Sequence, residues 1–305
     1  MNVFITGISG CVGHYVFDAL AENPDLHLYL LVRDPARLRF DPHRPNVTLV
    51  TGDARNLSSQ ADLLATMDAI VHIAAGWGES AAYEVNREAT FAMLDMADPA
   101  RLTKLILFST ASVLDSENQL LDAAGTDGTD YIKSKYLCLR DLPSHPLADR
   151  VITLFPTLVF GGDAKHPSSH LNGGLGDALK WAGIARWLRL EASFHFVHGR
   201  DIAQVVQHVL LNDVSDRRMV LGNPETTIAE MLESLATHAG KPYRGWIDLT
   251  PLLELVALLF KSRMNAWDRF CMRYRFFRYR VVSPETFGMT SAYPTLKDIL
   301  RAAEG

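Results

Sequence analysis

Cysteine is scarce in this 305-residue sequence, which contains only Cys11, Cys138 and Cys271. These residues are odd in number and lie far apart along the chain, which excludes a disulfide framework and a cysteine zinc site. Scarce and scattered thiols are typical of proteins from a reducing compartment. We therefore expect a cytoplasmic protein.

Long apolar runs, a secretory leader and net positive charge are also missing. The longest apolar run, PLLELVALLF from Pro251, has about half of the roughly 20 residues that a membrane-spanning helix needs, and Glu254 interrupts it. The first residues, MNVFITG, enter a strand pattern without a leader region. The formal charge of −5 at pH 7 gives no general attraction to nucleic acid. We expect no transmembrane helix, no secretory signal and no nucleic-acid partner.

Short apolar runs alternate with helical stretches through the first half of the chain. The runs are VFITG from Val3, LYLLV from Leu28, VTLVTGD from Val47, AIVHIAA from Ala69, KLILFST from Lys104 and RVITLFP from Arg150. Such runs are typical of strands that are buried on both faces of a parallel sheet. The alternation predicts an α/β fold with a Rossmann-type doubly wound parallel sheet.

The pattern changes after Pro156, where a stretch rich in Gly, Ser, His and Pro leaves the sheet. We predict a dinucleotide-binding Rossmann domain over residues 1–162, to which residues 194–213 return as a strand and a helix. Residues 163–305 are predicted to form mainly a smaller, helical substrate-binding domain.

A glycine-rich turn, TGISGCVG, follows the first predicted strand and precedes a helical stretch. Gly7 permits the tight turn, Gly10 lets a pyrophosphate approach the backbone, and Gly13 lets the helix pack on the strand. The N-terminus of the helix favours phosphate charge. This turn at the start of a βαβ unit predicts a dinucleotide site, with Cys11 and Val12 as further candidate contacts.

Arg33 stands about 20 residues beyond Gly13, at the end of the second predicted strand. An acidic residue at this place accepts hydrogen bonds from the ribose of NAD, whereas a guanidinium pairs with the 2′-phosphate of NADP. Arg37 and Arg39 lie close enough in sequence to help. The sequence therefore favours NADP(H), and Asp34 is the alternative that takes the ribose position if the strand ends one residue later.

Tyr131 and Lys135 are spaced i and i+4 in TDYIKSK, which reads as the start of a helix, so their side chains share one face. A phenol titrates near ~10, and a nearby ammonium lowers that pKa, which makes tyrosine a usable acid or base. Hydroxyl groups follow the preceding strand at Ser109, Thr110 and Ser112, at the sheet edge where open α/β folds bind ligands. We predict a catalytic pair with one of these hydroxyls as its partner.

Taken together, these segments resemble the extended short-chain dehydrogenase/reductase family, of the NAD-dependent epimerase/dehydratase type. The matching motifs are TGISGCVG; TGDARN with Asp53; VHIAA with Ala74; YEVNREAT with Asn86; FSTASV with Thr110; YIKSK with Tyr131 and Lys135; FPTLVFG with Pro156; and FVHGRDIA with Asp201. They lie in roughly the first two thirds of the chain, and the last third matches only in general layout.

The resemblance implies a role for each matching residue. Tyr131 would be the acid–base group at the reacting carbonyl or alcohol, and Thr110 would hydrogen-bond the substrate oxygen. Lys135 would hold the nicotinamide ribose and tune Tyr131, while Asn86 would order a proton relay behind Lys135. The implied cofactor contacts are Gly7, Gly10, Cys11, Val12, Gly13, Arg33, Asp53 at the adenine, Ala74, Lys135 and Pro156.

Residues 261–280 form a basic, aromatic segment with seven cationic residues against one acidic residue. Its net charge of +6 leaves −11 for the rest of the chain. Apolar side chains recur at spacings of three and four, the pattern of one helix face. This stripe consists of Met264, Trp267, Phe270, Tyr274 and Phe277. Three interpretations stay open: the stripe packs on the second domain, the segment rests on anionic lipid, or its arginines grip an anionic substrate group.

Departures from the family pattern bear on the substrate. Leu114 and Asp115 stand where the family often has Tyr and Gly, and Phe155 stands where many members have an arginine, which argues against a sugar nucleotide. His166 and His170 lie in a loop without an acidic partner motif, so no metal site is expected.

The expected activity is NADP(H)-dependent oxidoreduction of a carbonyl/alcohol pair on a small substrate of unknown identity. A membrane contact through residues 261–280 would favour a lipophilic substrate and a protein peripheral to a membrane. The alternatives are a nucleotide-sugar epimerase or dehydratase that keeps NAD bound, and a non-catalytic NADP-binding assembly or sensor protein. The oligomeric state is not predicted, and a homodimer is compatible with the sequence.

Overall fold

A computed structural model describes residues 1–253 and 264–302. The described strands are β1 (Asn2–Thr6), β2 (His27–Val32), β3 (Val47–Thr51), β4 (Ala69–His72), β5 (Lys104–Phe108), β6 (Val151–Pro156), β7 (Leu158–Phe160), β8 (Leu188–Arg189), β9 (Ser193–Phe194), β10 (Phe196–His198), β11 (Arg218–Leu221), β12 (Thr226–Thr227), β13 (Ile247–Asp248) and β14 (Val281–Val282). The described helices are α1 (Cys11–Leu20), α2 (Ala61–Leu64), α3 (Glu79–Tyr83), α4 (Ala89–Met96), α5 (Asp122–Thr126), α6 (Asp130–Asp141), α7 (His170–Lys180), α8 (Ala182–Ala185), α9 (Gly199–Leu211), α10 (Ile228–His238), α11 (Ala266–Arg273) and α12 (Leu296–Ala302). A π-helical turn, Glu84–Glu88, joins α3 to α4.

Eight of the described strands form one parallel sheet in the order β14-β11-β6-β5-β4-β1-β2-β3. All six strands that the apolar runs predicted are members of this sheet, so the Rossmann-type doubly wound fold is confirmed. The chain reverses direction across the sheet between β1 and β4. Open α/β sheets bind ligands beyond the carboxyl ends of the strands at such a switch point.

Successive side chains of the central strands face opposite sides of the sheet. In β1, Val3 and Ile5 belong to a core with α1 and α9, whereas Phe4 belongs to a second core with α4 and α6. All three side chains are fully buried. Burial on both faces requires apolar residues at consecutive positions, which is why these strands read as continuous apolar runs.

The sheet extends into the region that the sequence assigned to the substrate-binding domain. β11 pairs with β6, and β14 pairs with β11, so both strands join the sheet beyond the returning residues 194–213. Those returning residues contain β10 and all of α9, which packs on α1. The division of the chain at residue 162 stays a prediction. The Rossmann sheet contains two strands, β11 and β14, that this division assigned to the substrate-binding domain.

The basic segment differs from the single helix face that its spacing indicated. Residues 261–263 lie outside the described part, and α11 ends at Arg273. The chain then runs beside Ser193 through backbone hydrogen bonds of 3.0 and 3.1 Å. Trp267 is buried in the core with α4 and α6, so packing already uses part of the apolar stripe.

None of the helices in residues 1–253 and 264–302 is both long enough and apolar enough to cross a bilayer.

Candidate active site

One cleft of about 1020 Å³ lies at the carboxyl ends of the central strands. The sequence-predicted residues that line it are Gly7, Gly10, Cys11, Val12, Gly13, Arg33, Asp53, Ala74, Ser109, Thr110, Ser112, Tyr131, Lys135 and Pro156. The remaining candidate, Asn86, is fully buried. Residues from six strand ends therefore meet in a single cleft.

Two glycines of the first turn hold positions that a larger residue cannot occupy. Gly7 has a φ of +78°, and a Cβ there would lie 2.4 Å from the backbone nitrogen of Ala74. A Cβ on Gly13 would lie 2.4 Å from the carbonyl oxygen of Gly7. α1 begins directly after Gly10. The free amides of its first turn therefore face a bare backbone cradle, which fits a pyrophosphate.

The end of β2 decides between Arg33 and Asp34 as the residue that faces the cleft. β2 ends one residue before Arg33, and Arg33 lines the cleft. The Asp34 carboxylate instead accepts a hydrogen bond from the Ala36 amide at 3.0 Å and caps a short 3₁₀ turn. Arg33 and not Asp34 therefore belongs to the cleft lining.

Three arginines gather at this end of the cleft, although the sequence singled out only two of them. Arg33, Arg37 and Arg55 line the cleft. Asp53 lies among them, with its Oδ2 2.7 Å from Arg55 Nη2 and 3.8 Å from Arg33 Nη1. The hydrogen bonds from Arg55 lower the pKa of Asp53 and offset its charge. Arg39 points away, toward carbonyl groups of the loop after β7.

Tyr131 and Lys135 share one face of α6, as their spacing predicted. Lys135 Nζ donates a hydrogen bond of 2.6 Å to the Phe108 carbonyl oxygen, and burial lowers the pKa of this ammonium to about 8. Burial raises the pKa of Tyr131 to about 12, and its hydrogen bond with Thr110 opposes that rise. The expected lowering of the phenol pKa by Lys135 is absent here, because the ammonium is held at the end of β5.

Thr110 is the hydroxyl residue in contact with the phenol. Its side chain hydrogen-bonds Tyr131 and accepts a 3.3 Å hydrogen bond from the Ser112 amide. Ser109 Oγ is buried and makes no hydrogen bond within the described residues. Since all three hydroxyls line the cleft, the assignment of the substrate-oxygen donor to Thr110 stays a prediction that this contact favours.

Asn86 joins two elements behind the cleft. Its amide exchanges two hydrogen bonds of 3.0 Å with the Gly76 backbone and donates one of 2.9 Å to Ser134 Oγ. Gly76 belongs to the loop after β4, and Ser134 precedes Lys135 on α6. Asn86 lies in the π-helical turn, a feature that is frequent at functional sites. It positions α6 against that loop, and its part in a proton relay stays a prediction.

Trp77 covers the ring of Tyr131, which the sequence did not predict. The two rings stack with centroids 4.0 Å apart and planes 7° apart, and His170 meets the indole at 5.5 Å. Trp77 stands between Gly76 and Gly78, and the φ of Gly78 is +80°. The indole is itself 60% exposed. It therefore closes one approach to the phenol while offering an apolar surface to solvent.

Large apolar side chains also line the cleft. Trp77, Leu158, Leu171 and Trp267 line it, and the two leucines are exposed. Among the described residues 264–280, only Trp267 belongs to this lining. The described arginines of that segment are thus not placed to grip a substrate in the cleft.

A buried histidine fastens the loop between β7 and α7. His166 Nε2 lies 2.8 Å from Asp18 on α1, and its Nδ1 lies 2.8 Å from Asp163 in the loop. Its ring also stacks on Tyr15 of α1, with centroids 3.8 Å apart. Residues 167–169 of this loop line the cleft, so the contact fixes a cleft wall to α1. No group of ligating side chains within the described residues is arranged to hold a metal ion.

Several solved structures share the fold along nearly the whole chain. The structure of gox2253 has a TM-score of 0.73 at 19% identity, over 99% of this chain and 96% of that one. The terminal R domain from the myxalamid PKS-NRPS biosynthetic pathway has a TM-score of 0.69 at 18% identity, over 99% and 88%. The dTDP-glucose 4,6-dehydratase from Bacillus anthracis, solved in complex with NAD, has a TM-score of 0.67 at 16% identity, over 100% and 96%. At these identities the likeness establishes the fold alone.

Comparison of the sequence with protein families gives a firmer assignment. No curated protein matches the chain. A family model does match, over residues 3–222, and this range contains the glycine turn, the arginine cluster and the Tyr131–Lys135 pair. The resemblance to extended short-chain dehydrogenases/reductases is thereby confirmed, and the chain belongs to the NAD dependent epimerase/dehydratase family.

Proposed function

We propose that this enzyme uses NADP(H) to interconvert a carbonyl and an alcohol on a small, lipophilic substrate. The observation that carries the proposal is the order of features along one cleft. The arginine cluster follows β2 and β3, the glycine turn follows β1, and the Tyr131–Thr110 pair follows β5. This order along the sheet matches the order of adenosine phosphate, pyrophosphate and nicotinamide in NADP(H), which supports the proposal.

The proton is handled by Tyr131 in this mechanism. With a pKa raised to about 12 by burial, the phenol stays protonated at neutral pH, which suits donation to a carbonyl oxygen. Thr110 hydrogen-bonds the same phenol and is placed to hold the substrate oxygen beside it. The protonated phenol can therefore act as the acid when the carbonyl is reduced.

The remaining groups position the reactants. NADP(H), when bound, supplies or accepts the hydride. Lys135 is anchored at 2.6 Å to the Phe108 carbonyl oxygen and would hold the nicotinamide ribose beside the phenol. The Trp77 indole excludes water from one face of Tyr131, which strengthens the hydrogen bonds at that ring.

Charge at the adenosine end supports NADP(H) over NAD. Arg33, Arg37 and Arg55 are three cations that line this end of the cleft, and the acidic residue of the lining, Asp53, is already paired with Arg55. A 2′-phosphate is an anion that guanidinium groups bind through charge-assisted hydrogen bonds. The alternative, an epimerase or dehydratase that retains NAD, draws support from Asp53 as a ribose acceptor and from the dehydratase solved with NAD.

The lining of the substrate end supports a lipophilic compound over a sugar nucleotide. In the described cleft, the Lys and Arg residues are Lys135 and the three arginines at the far end. A nucleotide diphosphate needs cationic partners near its phosphates. The rings of Trp77 and Trp267 instead offer apolar surface to a substrate body.

Purified protein should oxidise NADPH in the presence of apolar ketones or aldehydes. Tyr131→Phe should lower kcat by about 100-fold or more, the scale of general acid catalysis, with an unchanged Kd for NADPH. Tyr136→Phe is the matched control, because Tyr136 lies on the same helix but bonds Asp122. Equal activity of the two variants would refute the role of Tyr131. Stoichiometric NAD released on denaturation, with no NADPH oxidation, would establish the epimerase or dehydratase alternative.

A further inference from the structure

An exposed aromatic surface lies away from the cleft, on α8 and the chain around β13. Its exposed apolar members are Trp181, Ile184, Trp246, Ile247 and Leu252, and we call them the tryptophan surface. Trp181 and Trp246 are 64% and 73% exposed. Isolated apolar side chains are common on protein surfaces, but a connected group of this size marks an interaction site.

Backbone pairing makes this surface one continuous structure. β13 pairs with β8, which places Ile247 beside Leu188. The amides of Arg244 and Gly245 both donate to the Arg186 carbonyl oxygen, at 2.8 and 3.1 Å. The rings of Trp187 and Trp246 lie 5.1 Å apart. Residues from 181–190 and 239–247 are thus held together by the fold.

Cationic side chains accompany these aromatics. Residues 181–191 and 239–248 contain four Lys or Arg residues against two acidic residues, Glu191 and Asp248, and so carry +2, although the whole chain carries −5. Arg186 lies over the Trp187 ring at 4.5 Å, and Lys241 Nζ lies close against Gly183 of α8. Lys241 and Arg244 are exposed. Exposed tryptophan beside Lys and Arg is the composition of protein surfaces that bind the headgroup region of a membrane.

The same charges argue against a second copy of this chain as the occupant. A twofold interface brings identical surfaces together, so the cations of one copy would face those of the other. The two acidic residues at the ends of these segments do not balance the cations, because Asp248 is already paired with Arg189 at 2.9 Å and Glu191 is a single carboxylate. An anionic lipid surface complements both the charge and the apolar rings.

We propose that the tryptophan surface docks this protein on an anionic membrane. This assignment differs from a membrane contact through residues 261–280, whose Trp267 is buried in the core. α7 links the surface to the cleft, because it begins at His170 in the cleft wall and ends one residue before Trp181. This helix of 11 residues is about 16 Å long, which is the length of the connection between the cleft wall and the tryptophan surface. The proposal stands independently of the reaction.

Sedimentation with vesicles tests the proposal on the full-length protein. Vesicles of phosphatidylcholine with phosphatidylglycerol should bind the protein at low salt, and phosphatidylcholine alone should bind it far less. The double variant Lys241→Gln/Arg244→Gln should lower the partition constant by about 30-fold, since each cation near anionic lipid contributes about fivefold. Trp181→Ala/Trp246→Ala should also release the protein. Binding of the wild type should fall as salt is added.

Arg273→Gln is the matched control, because Arg273 is exposed on α11, outside the tryptophan surface. It should leave vesicle binding unchanged, and circular dichroism should show that every variant is folded. Absence of wild-type binding to anionic vesicles at low salt would overturn the proposal. A dimer in solution that Trp181→Ala/Trp246→Ala converts to a monomer would overturn it in favour of a second copy.

Discussion

Replacing Arg33 with alanine should weaken NADPH binding selectively. A hydrogen bond to a charged group is worth about 1.5–3 kcal/mol. The Arg33 side chain is 62% exposed and lies 3.8 Å from its nearest acidic neighbour, Asp53, so solvent screens it and the low end applies. A loss of about 1.4 kcal/mol raises the Kd for NADPH about tenfold. NADH lacks the 2′-phosphate, so its Kd should change by less than about twofold.

Titration of each cofactor by protein fluorescence or calorimetry measures this difference directly. Arg39→Ala is the matched control, because Arg39 follows the same strand but points to carbonyl groups of the loop after β7. It should leave the ratio of the two Kd values unchanged. If Arg33→Ala weakens NADH and NADPH equally, or if the wild type binds both equally, the assignment of a 2′-phosphate site is wrong.

The ion pair between Arg55 and Asp53 can be tested by the same cofactor titrations. Arg55→Ala removes the closest partner of Asp53 and leaves a carboxylate that repels a 2′-phosphate and accepts ribose hydroxyls. This variant should therefore shift preference toward NADH further than Arg33→Ala does. Adding Asp53→Asn to Arg55→Ala should restore part of the NADPH affinity. No restoration would show that Asp53 does not face the cofactor.

Two further predictions concern Trp77, which stacks on Tyr131, and His72, which is buried in β4. Trp77→Ala should raise KM for apolar carbonyl substrates about tenfold. It should also move the alkaline limb of the pH–rate profile down toward ~10, because water then reaches the phenol, whose pKa burial raises to about 12 in the wild type. Trp246→Ala, remote from the cleft, should change neither, and a KM unaffected by Trp77→Ala would contradict the stacking argument. Burial lowers the pKa of His72 to about 3, whereas its pKa in the unfolded chain is about 6.5. As the pH falls below about 6.5, the unfolded chain therefore binds a proton that the folded chain does not bind, and stability is lost between pH 6.5 and pH 3. Urea unfolding of the wild type should lose about 2 kcal/mol more than His72→Gln between pH 7 and pH 5, and equal losses would contradict a neutral buried imidazole.

The sheet could be predicted from the sequence because its central strands are buried on both faces. A strand such as β6 has six consecutive buried residues, and burial of that kind leaves an unmistakable apolar run. β11 begins with an exposed Arg218, and β14 has only two residues, so neither produces such a run. Their membership depends on pairing with β6 and with each other, which is tertiary information.

The candidate site was predicted where spacing along one element is sufficient. The i and i+4 spacing places Tyr131 and Lys135 on one face of α6, but it cannot show that the ammonium reaches the carbonyl oxygen of Phe108 on another element. Trp77 was missed for the same reason, since its stacking partner lies 54 residues away in sequence. The available signal was a tryptophan between two glycines directly after a buried strand, at the sheet edge where ligands bind.

Local sequence signals bear on which of the two residues after β2, Arg33 or Asp34, faces the cleft. Counting from the glycine turn leaves an uncertainty of one residue, because the end of β2 is not fixed by the apolar run alone. The residue after Asp34 is proline, however, and an acidic cap followed by proline is the usual start of a helical turn. The capping role uses the Asp34 carboxylate through the Ala36 amide, as the structure shows. Local backbone chemistry therefore assigns Asp34 to the cap, and it leaves Arg33 as the charged residue after the strand that lines the cleft.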